Sequence, residues 1–201
     1  MVSCAQRAAL TALTSLAALA VTSCAAGQSA VSDPGASQAI VGVGYSGRYL
    51  AQGARPSAPP VSGTALTGQR LSLAADRGDI VVMNFWESYC GPCRAEAPAL
   101  AALARRYAAD RVRFLGDDEN DSRTAGAAFE RTFGITYPSL NDPGGAQALA
   151  FHGTVPPSAI PSTVIIDRTG HIAAILAGRI SYNGLGAVIK RVLAEKPGTG
   201  A

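Results

Sequence analysis

Ile80-Val81-Val82-Met83-Asn84-Phe85-Trp86-Glu87-Ser88-Tyr89-Cys90-Gly91-Pro92-Cys93 opens on a nearly unbroken run of apolar, β-forming residues and ends on two cysteines separated by two residues. Such a run marks a strand covered on both faces, which predicts a central strand from Ile80 to Phe85. Downstream, Leu100, Leu103, Ala104 and Tyr107 recur at helical spacing with Arg94, Arg105 and Arg106 off that stripe, which predicts a helix from about Cys93. Val112 to Leu115 follows as a second strand, so the cysteines sit in the first turn of a βαβ unit.

The rest of the pattern extends this unit. Ser122 to Phe133 is predicted as a helix and Tyr137 to Leu140 as a short strand. Ser162 to Ile166 and Ile172 to Ala177 flank Asp167-Arg168-Thr169-Gly170, a hairpin turn signal, and Leu185, Val188, Ile189, Val192 and Leu193 give an amphipathic closing helix. The predicted fold class is therefore α/β: a central mixed sheet flanked by helices, with a helical insertion between a βαβ half and a ββα half.

Composition limits what else the chain can be. Its 201 residues are 48% apolar and 15% charged, which excludes a highly charged disordered protein, a coiled coil or a collagen. Lys and Arg exceed Asp and Glu by 17 to 14 without a basic run, which argues against nucleic acid as a partner.

The N-terminus has the form of a targeting segment. Arg7 is the sole charge among the first 32 residues and precedes an uncharged, Ala- and Leu-rich stretch from Ala8 to Val21, as in an export signal. The stretch is too short for the roughly 17–25 residues of a spanning helix. Val21-Thr22-Ser23-Cys24 resembles a bacterial lipobox, in which the cysteine is acylated and becomes the mature N-terminus. Residues 1–23 are then a lipoprotein signal peptide, Cys24 is the lipidation site, and the location is the outer face of the bacterial cytoplasmic membrane. Ordinary signal cleavage, leaving Cys24 a free thiol, is the plainer alternative.

Residues 25–60 contain 8 Ala, 6 Gly, 5 Ser and 4 Pro, a composition that favours a tether. If flexible, it would span roughly 30–35 Å on average. Ile40, Val41, Val43, Tyr45, Tyr49 and Leu50 flank glycines in a pattern that equally suits a small hairpin over residues 40–50. The folded domain is placed at residues 61–196, followed by a disordered tail at 197–201.

With Cys4 leaving in the signal and Cys24 acylated, Cys90 and Cys93 are the thiols of the folded part. A helix N-terminus carries unsatisfied N–H groups and about half a positive charge, which favours a thiolate at Cys90. In such settings a thiol pKa near 8.5 typically falls to about 3.5–7.5. Cys90 is thus the candidate nucleophile and Cys93, deeper in the turn, the resolving thiol. Pro92 suits a first helical turn and Gly91 leaves the sulfur open to approach. A zinc site would need more ligands than His152 and His171 supply at usable spacing. A purely structural disulfide would close too short a loop to stabilise much. A Cu(I)-handling lipoprotein, holding the metal between two soft thiolates, is the rival from another class.

The segment from Asn84 to Pro98, Asn-Phe-Trp-Glu-Ser-Tyr-Cys-Gly-Pro-Cys-Arg-Ala-Glu-Ala-Pro, resembles the active site of the TlpA/ResA-like thioredoxin family of membrane-tethered thiol–disulfide oxidoreductases. The likeness runs from about Val61 to Leu193 and includes Ile160-Pro161-Ser162-Thr163-Val164-Ile165-Ile166-Asp167-Arg168-Thr169-Gly170, similar to that family's cis-proline strand and hairpin. It implies a thioredoxin-like fold, with Pro161 in a cis bond beside the cysteines and backbone groups there free to pair with an extended substrate.

It also implies a role for Glu96 in proton handling; the alternative for Glu96 is a first-turn acid that stabilises the helix dipole. Asn84 stands where cytoplasmic thioredoxins carry a buried aspartate, which leaves Glu96 as the better candidate. Trp86, Tyr89, Gly91 and Pro92 complete the motif, with Tyr89 in a position where the family usually has Trp.

The activity implied is disulfide exchange with protein substrates and no cofactor beyond the Cys90–Cys93 disulfide. The Gly-Pro dipeptide leans toward reduction, as in cytochrome c maturation or thiol maintenance, with a membrane electron donor and a monomeric state. Disulfide donation to exported proteins is the alternative direction. The acidic run Asp117-Asp118-Glu119-Asn120-Asp121 lacks the glycine and distal glutamate of an EF-hand and is predicted as a solvated loop capping the next helix.

Overall fold

The computed structural model describes residues 37–151, 153 and 159–195. The elements are β1 (Gln38–Gly42), β2 (Tyr45–Tyr49), β3 (Ser62–Thr64), β4 (Arg70–Ser72), β5 (Ile80–Trp86), α1 (Gly91–Tyr107), β6 (Val112–Glu119), α2 (Arg123–Phe133), β7 (Ser139–Asp142), α3 (Ala146–Ala150), β8 (Ser162–Ile166), β9 (Ile172–Gly178) and α4 (Tyr182–Leu193). One seven-stranded sheet has the order β1-β2-β9-β8-β5-β6-β7, and β3 pairs with β4 separately. β5 runs parallel to β6 and β6 to β7, whereas β5–β8, β8–β9, β9–β2 and β2–β1 are antiparallel. This is the mixed sheet of a thioredoxin-like fold, with β7 extending its parallel side.

All seven residues of β5 are buried, as its unbroken apolar run requires. Side-chain alternation sends Ile80 and Val82 to one face and Val81, Met83 and Phe85 to the other. The first face receives Leu100, Leu103 and Tyr107 of α1 together with Leu185, Val188, Ile189 and Val192 of α4. The second receives Leu115, Leu140, Phe151, Val164 and Ile166. Each such side chain contributes roughly 1.5–3 kcal/mol by leaving water. The position of α1, and with it the cysteine pair, follows from this packing.

Two expectations need correction. Of the two readings for residues 40–50, the hairpin is the one observed, and it is no appendage: β2 pairs with β9 over Tyr45–Tyr49 and completes the sheet. Gly47 permits that approach, because a Cβ there would lie 2.0 Å from the Ile175 carbonyl oxygen. Beyond it, Leu50 and Ala51 are buried, and so is Arg55. The folded unit therefore starts well before Val61. The Gly- and Ala-rich composition that suggests a tether instead lets two backbones lie close.

The second correction concerns the acidic run. Asp117, Asp118 and Glu119 belong to β6 and are buried, so they are not a solvated loop. The turn begins only at Asn120, which has φ +55°, and Ser122 caps α2 through its hydroxyl on the Ala125 N–H at 3.2 Å. The pattern hides this because runs of carboxylates are rarely buried unless they are protonated or paired. The small β3–β4 ribbon had no clear sequence signal. The signal peptide, Cys24, His152 and residues 197–201 lie outside the described residues.

Arg55 ties the N-terminal segment to the end of the domain. Its guanidinium donates to the Leu50 carbonyl at 3.0 Å and to Asp167 at 2.9 Å, and pairs with Glu195 after α4. Its side chain is 1% exposed. Replacing one member of a buried pair strands the others, typically at a cost of about 3–5 kcal/mol. Arg55→Met is expected to lower unfolding free energy by about 3 kcal/mol, read from urea titrations. A change below about 0.5 kcal/mol would mean that the segment is not fastened through this residue.

Candidate active site

Cys90 and Cys93 form a disulfide with an S–S distance of 2.06 Å and Cα atoms 5.3 Å apart. Cys90 is the N-cap of α1, and its sulfur accepts the Cys93 N–H at 3.1 Å. The two sulfurs differ in access. Cys93 is 1% exposed and packs with Leu66, Trp86, Ala97 and Phe129, whereas Cys90 is half-buried at the edge of that cluster. Gly91 and Pro92 are exposed, and a Cβ on Gly91 would meet nothing within 4 Å, so the approach to Cys90 is open. Trp86 stacks on Phe129 at 4.2 Å between ring centres and forms the floor beneath the pair. Tyr89 points to solvent, 68% exposed, one residue before Cys90.

The turn that presents Cys90 is held from β6. Asp121 accepts the Ser88 backbone N–H at 2.5 Å and the Ser88 hydroxyl at 2.8 Å, and Asn120 donates to Glu87 at 2.9 Å. From the helix side, Arg94 donates to the Ser88 carbonyl at 3.1 Å. Asp121 as a clamp on this turn was not foreseen; its signal is an acidic residue at the end of the strand parallel to β5.

The Ile160–Pro161 peptide bond is cis, and Pro161 is buried. Its carbonyl accepts the Gly178 N–H at 2.8 Å, which ties the turn to the end of β9. Ile160 packs against the cysteine cluster. Ile160, Pro161, Gly91, Pro92 and Ala95 share one open, largely apolar groove with Gly44 of the N-terminal hairpin and with Gly178 and Arg179. Among the described residues nothing bonds the Ile160 N–H or carbonyl.

Glu96 lies one turn after Cys93 in α1 and is 1% exposed. Its carboxylate accepts from the Asn84 amide at 2.8 Å and from the Ile180 N–H at 2.9 Å. Burial outweighs those bonds and the nearby Arg179 charge, and pushes its pKa up to about 7. A simple dipole-stabilising acid would be solvated and ionised. Asn84 also donates to the Ser162 carbonyl and the Thr163 hydroxyl, each at 3.2 Å, so it links α1 to β8 through Glu96.

The same end of the sheet holds the acidic residues of β6. Burial, with Asp142 and Glu119 nearby, raises Asp117 to about 8; burial and Asp121 raise Asp118 to about 9; burial and Glu87 raise Glu119 to about 7. Among the described residues no group of His, Cys, Asp and Glu is placed to hold a metal ion. His171 lies in the β8–β9 turn, bonded to the Thr169 hydroxyl at 2.8 Å and away from the cysteine cluster.

Comparison with known proteins agrees with this geometry. The profile of the AhpC/TSA family matches residues 55–175. The thioredoxin-like protein YneN of Bacillus subtilis is 33% identical over 129 residues, which cover 62% of this chain and 71% of that protein. The thiol-disulfide oxidoreductase ResA of Bacillus thuringiensis is 26% identical over 135 residues, 67% and 76% of the two chains. Among solved structures, a DsbF homologue from Corynebacterium diphtheriae superimposes with a TM-score of 0.67 at 31% identity, covering 72% of this chain and 92% of its own. A secreted thiol-disulfide isomerase from Corynebacterium glutamicum gives 0.70 at 26% identity, covering 74% and 92%.

The raised carboxyl pKa values set an unusual pH dependence. In the unfolded chain these groups ionise near 4–4.5, whereas the folded chain keeps their protons up to about 7–9. Over that window the folded state binds more protons, so stability falls as pH rises. The lowered Asp79 and Asp167 act below their ordinary values, outside this window. Urea midpoints are expected to be lower at pH 8.5 than at pH 5.5, and Glu96→Gln to shrink the difference. A flat or rising profile would show that these carboxyls are ionised in the fold.

Proposed function

Because the chain belongs to the AhpC/TSA family and is a thioredoxin-fold thiol–disulfide oxidoreductase, we propose that it reduces disulfides of proteins outside the cytoplasm, with Cys90 as nucleophile and Cys93 as resolving thiol. The observation that carries the assignment of roles is the difference in access: Cys90 caps the helix at an open surface, and Cys93 is enclosed. In the reduced pair, the N–H groups of the first turn favour charge on the Cys90 sulfur.

Exchange then proceeds in two balanced steps. The Cys90 thiolate attacks one sulfur of a substrate disulfide; a mixed disulfide forms and the other substrate sulfur leaves as a thiolate. Cys93, after losing its proton, attacks the Cys90 sulfur, which closes Cys90–Cys93 and releases the second substrate thiolate. Two electrons pass from the pair to the substrate, and a thiol donor at the membrane restores the reduced pair.

The surrounding residues fit these steps. Glu96, buried one turn after Cys93 with its pKa near neutrality, is suited to take the Cys93 proton. Pro161 and the Ile160 backbone, unbonded among the described residues, border the groove in which an extended substrate segment would pair. Tyr89 offers an exposed ring beside Cys90, Trp86 supports the pair from below, and Gly91 and Pro92 shape the open turn.

The reducing direction rests on the Gly-Pro dipeptide, and a link to haem attachment in c-type cytochromes on the resemblance to ResA. Attachment at the outer face of the bacterial cytoplasmic membrane rests on the lipobox-like segment ending at Cys24; no helix among the described residues is long and apolar enough to cross a membrane.

Cys93→Ser is expected to accumulate mixed disulfides through Cys90, identifiable after non-reducing separation. Cys90→Ala is expected to reduce insulin disulfides no faster than thiol alone while keeping its fold. Retained turnover in Cys90→Ala would overturn the roles. Equilibration with glutathione tests direction: a reductase is expected nearer about −270 mV than about −120 mV.

A further inference from the structure

The groove beside the cysteine pair is electrically lopsided. Its lining residues from α1, the cis-proline turn and the hairpin are small or apolar, and among the described residues Arg179 is the charged one. Arg179 is exposed, and its guanidinium makes no hydrogen bond or ion pair with any described residue. The backbone beneath it is anchored on both sides: the Gly178 N–H bonds the Pro161 carbonyl at 2.8 Å and the Ile180 N–H bonds Glu96 at 2.9 Å. The hairpin turn closes against it. Gly44 has φ +87°, and a Cβ there would lie 3.2 Å from the Arg179 carbonyl oxygen, so the turn sits directly on this segment. Just before Cys90 in the chain, Glu87 lies beside the exposed Tyr89 hydroxyl and Asp121 accepts from Ser88.

We propose that Arg179 selects substrate segments carrying an acidic side chain next to the reactive disulfide, with the N-terminal hairpin forming the far wall of the groove. The proposal rests on the disulfide-exchange reading above and adds the substrate class. The occupant that complements these features is an extended segment of an exported protein with an Asp or Glu flanking its cysteine on the Arg179 side. A basic residue in that place would meet the guanidinium with like charge. Arg179 also lies near enough to Glu96 to lower its pKa, but no hydrogen bond or ion pair joins the two, so the guanidinium remains available to a ligand.

The test uses the full chain and three disulfide-linked peptides identical except for Glu, Gln or Lys beside one cysteine. At low salt kcat/KM is expected to fall in the order Glu, Gln, Lys, with about three- to fivefold between the extremes, the scale of a solvent-exposed ion pair. Added salt should compress the ratio. Arg179→Gln should bring it to about one, Arg179→Glu should invert it, and Arg179→Lys should keep most of it. Equal kcat/KM for the three peptides, with turnover intact, overturns charge selection alone. An Arg179→Gln variant whose pH profile moves while the peptide ratio stays at the wild-type value also overturns it, assigning Arg179 to Glu96 instead. Failure to turn over any of the three peptides overturns the exchange reading itself, and charge selection with it.

Discussion

The site depends on how one helix is seated. α1 begins where β5 ends, and β5 is enclosed on both faces along its whole length, so the first turn of the helix has little freedom to shift. That constraint places the N–H groups of the turn behind the Cys90 sulfur and packs Cys93 against the Trp86–Phe129 stack. The chemical difference between two identical thiols is thereby made by position. One faces the dipole and solvent, and the other faces hydrocarbon. Hydrogen bonds from Ser88 to Asp121 and from Arg94 to the Ser88 carbonyl hold the approach to that turn, so the geometry does not rest on the helix alone.

Burial of carboxyl groups is the second organising feature. Glu96, Asp117, Asp118 and Glu119 all lie at the end of the sheet that carries the cysteines, and each is pushed toward neutrality chiefly by loss of water. Asp117 and Asp118 leave the sheet on opposite faces, one toward Phe85 and Leu140, the other against Gly126 of α2, where a Cβ would approach within 1.9 Å of an Asp118 oxygen. Four ionised carboxylates this close to a thiolate would oppose its formation. Pushed up to about 8 and 9, Asp117 and Asp118 keep their protons at neutral pH and impose no such field, whereas Glu96 and Glu119, at about 7, can exchange theirs.

Much of this was legible in the sequence, for physical reasons that can be named. The apolar run of β5, the stripe of α1, the Asp167–Gly170 turn and the Cys-Gly-Pro-Cys segment are local signals, and local signals report the βαβ and ββα units. The structure extends β5 by one residue to Trp86 and starts α1 at Gly91, two residues earlier than the apolar stripe indicates. Three features were not legible. Residues 38–55 suit a tether as well as a hairpin because pairing through Gly47 and an anchor such as Arg55 depend on partners 112–140 residues away. The β6 acids look like a loop because burial in a strand overrides their preference for water. Asp121 is one acid among several until the parallel register brings it to Ser88.

The hairpin gives the fold's N-terminal addition a place in the chemistry. A sheet ending at β9 would leave its last strand as an unpaired edge beside the cis-proline turn. Pairing β2 there covers the edge and brings Gly44 against the Arg179 backbone, so one addition both completes the sheet and walls the groove. The groove beside the reactive sulfur consequently carries a cationic rim just after β9. Thiolate–disulfide exchange needs little from the enzyme besides an ionised sulfur and a bound partner. Discrimination among partners therefore falls to the rim, where a fixed backbone under an exposed guanidinium leaves the side chain able to meet whatever charge a substrate presents.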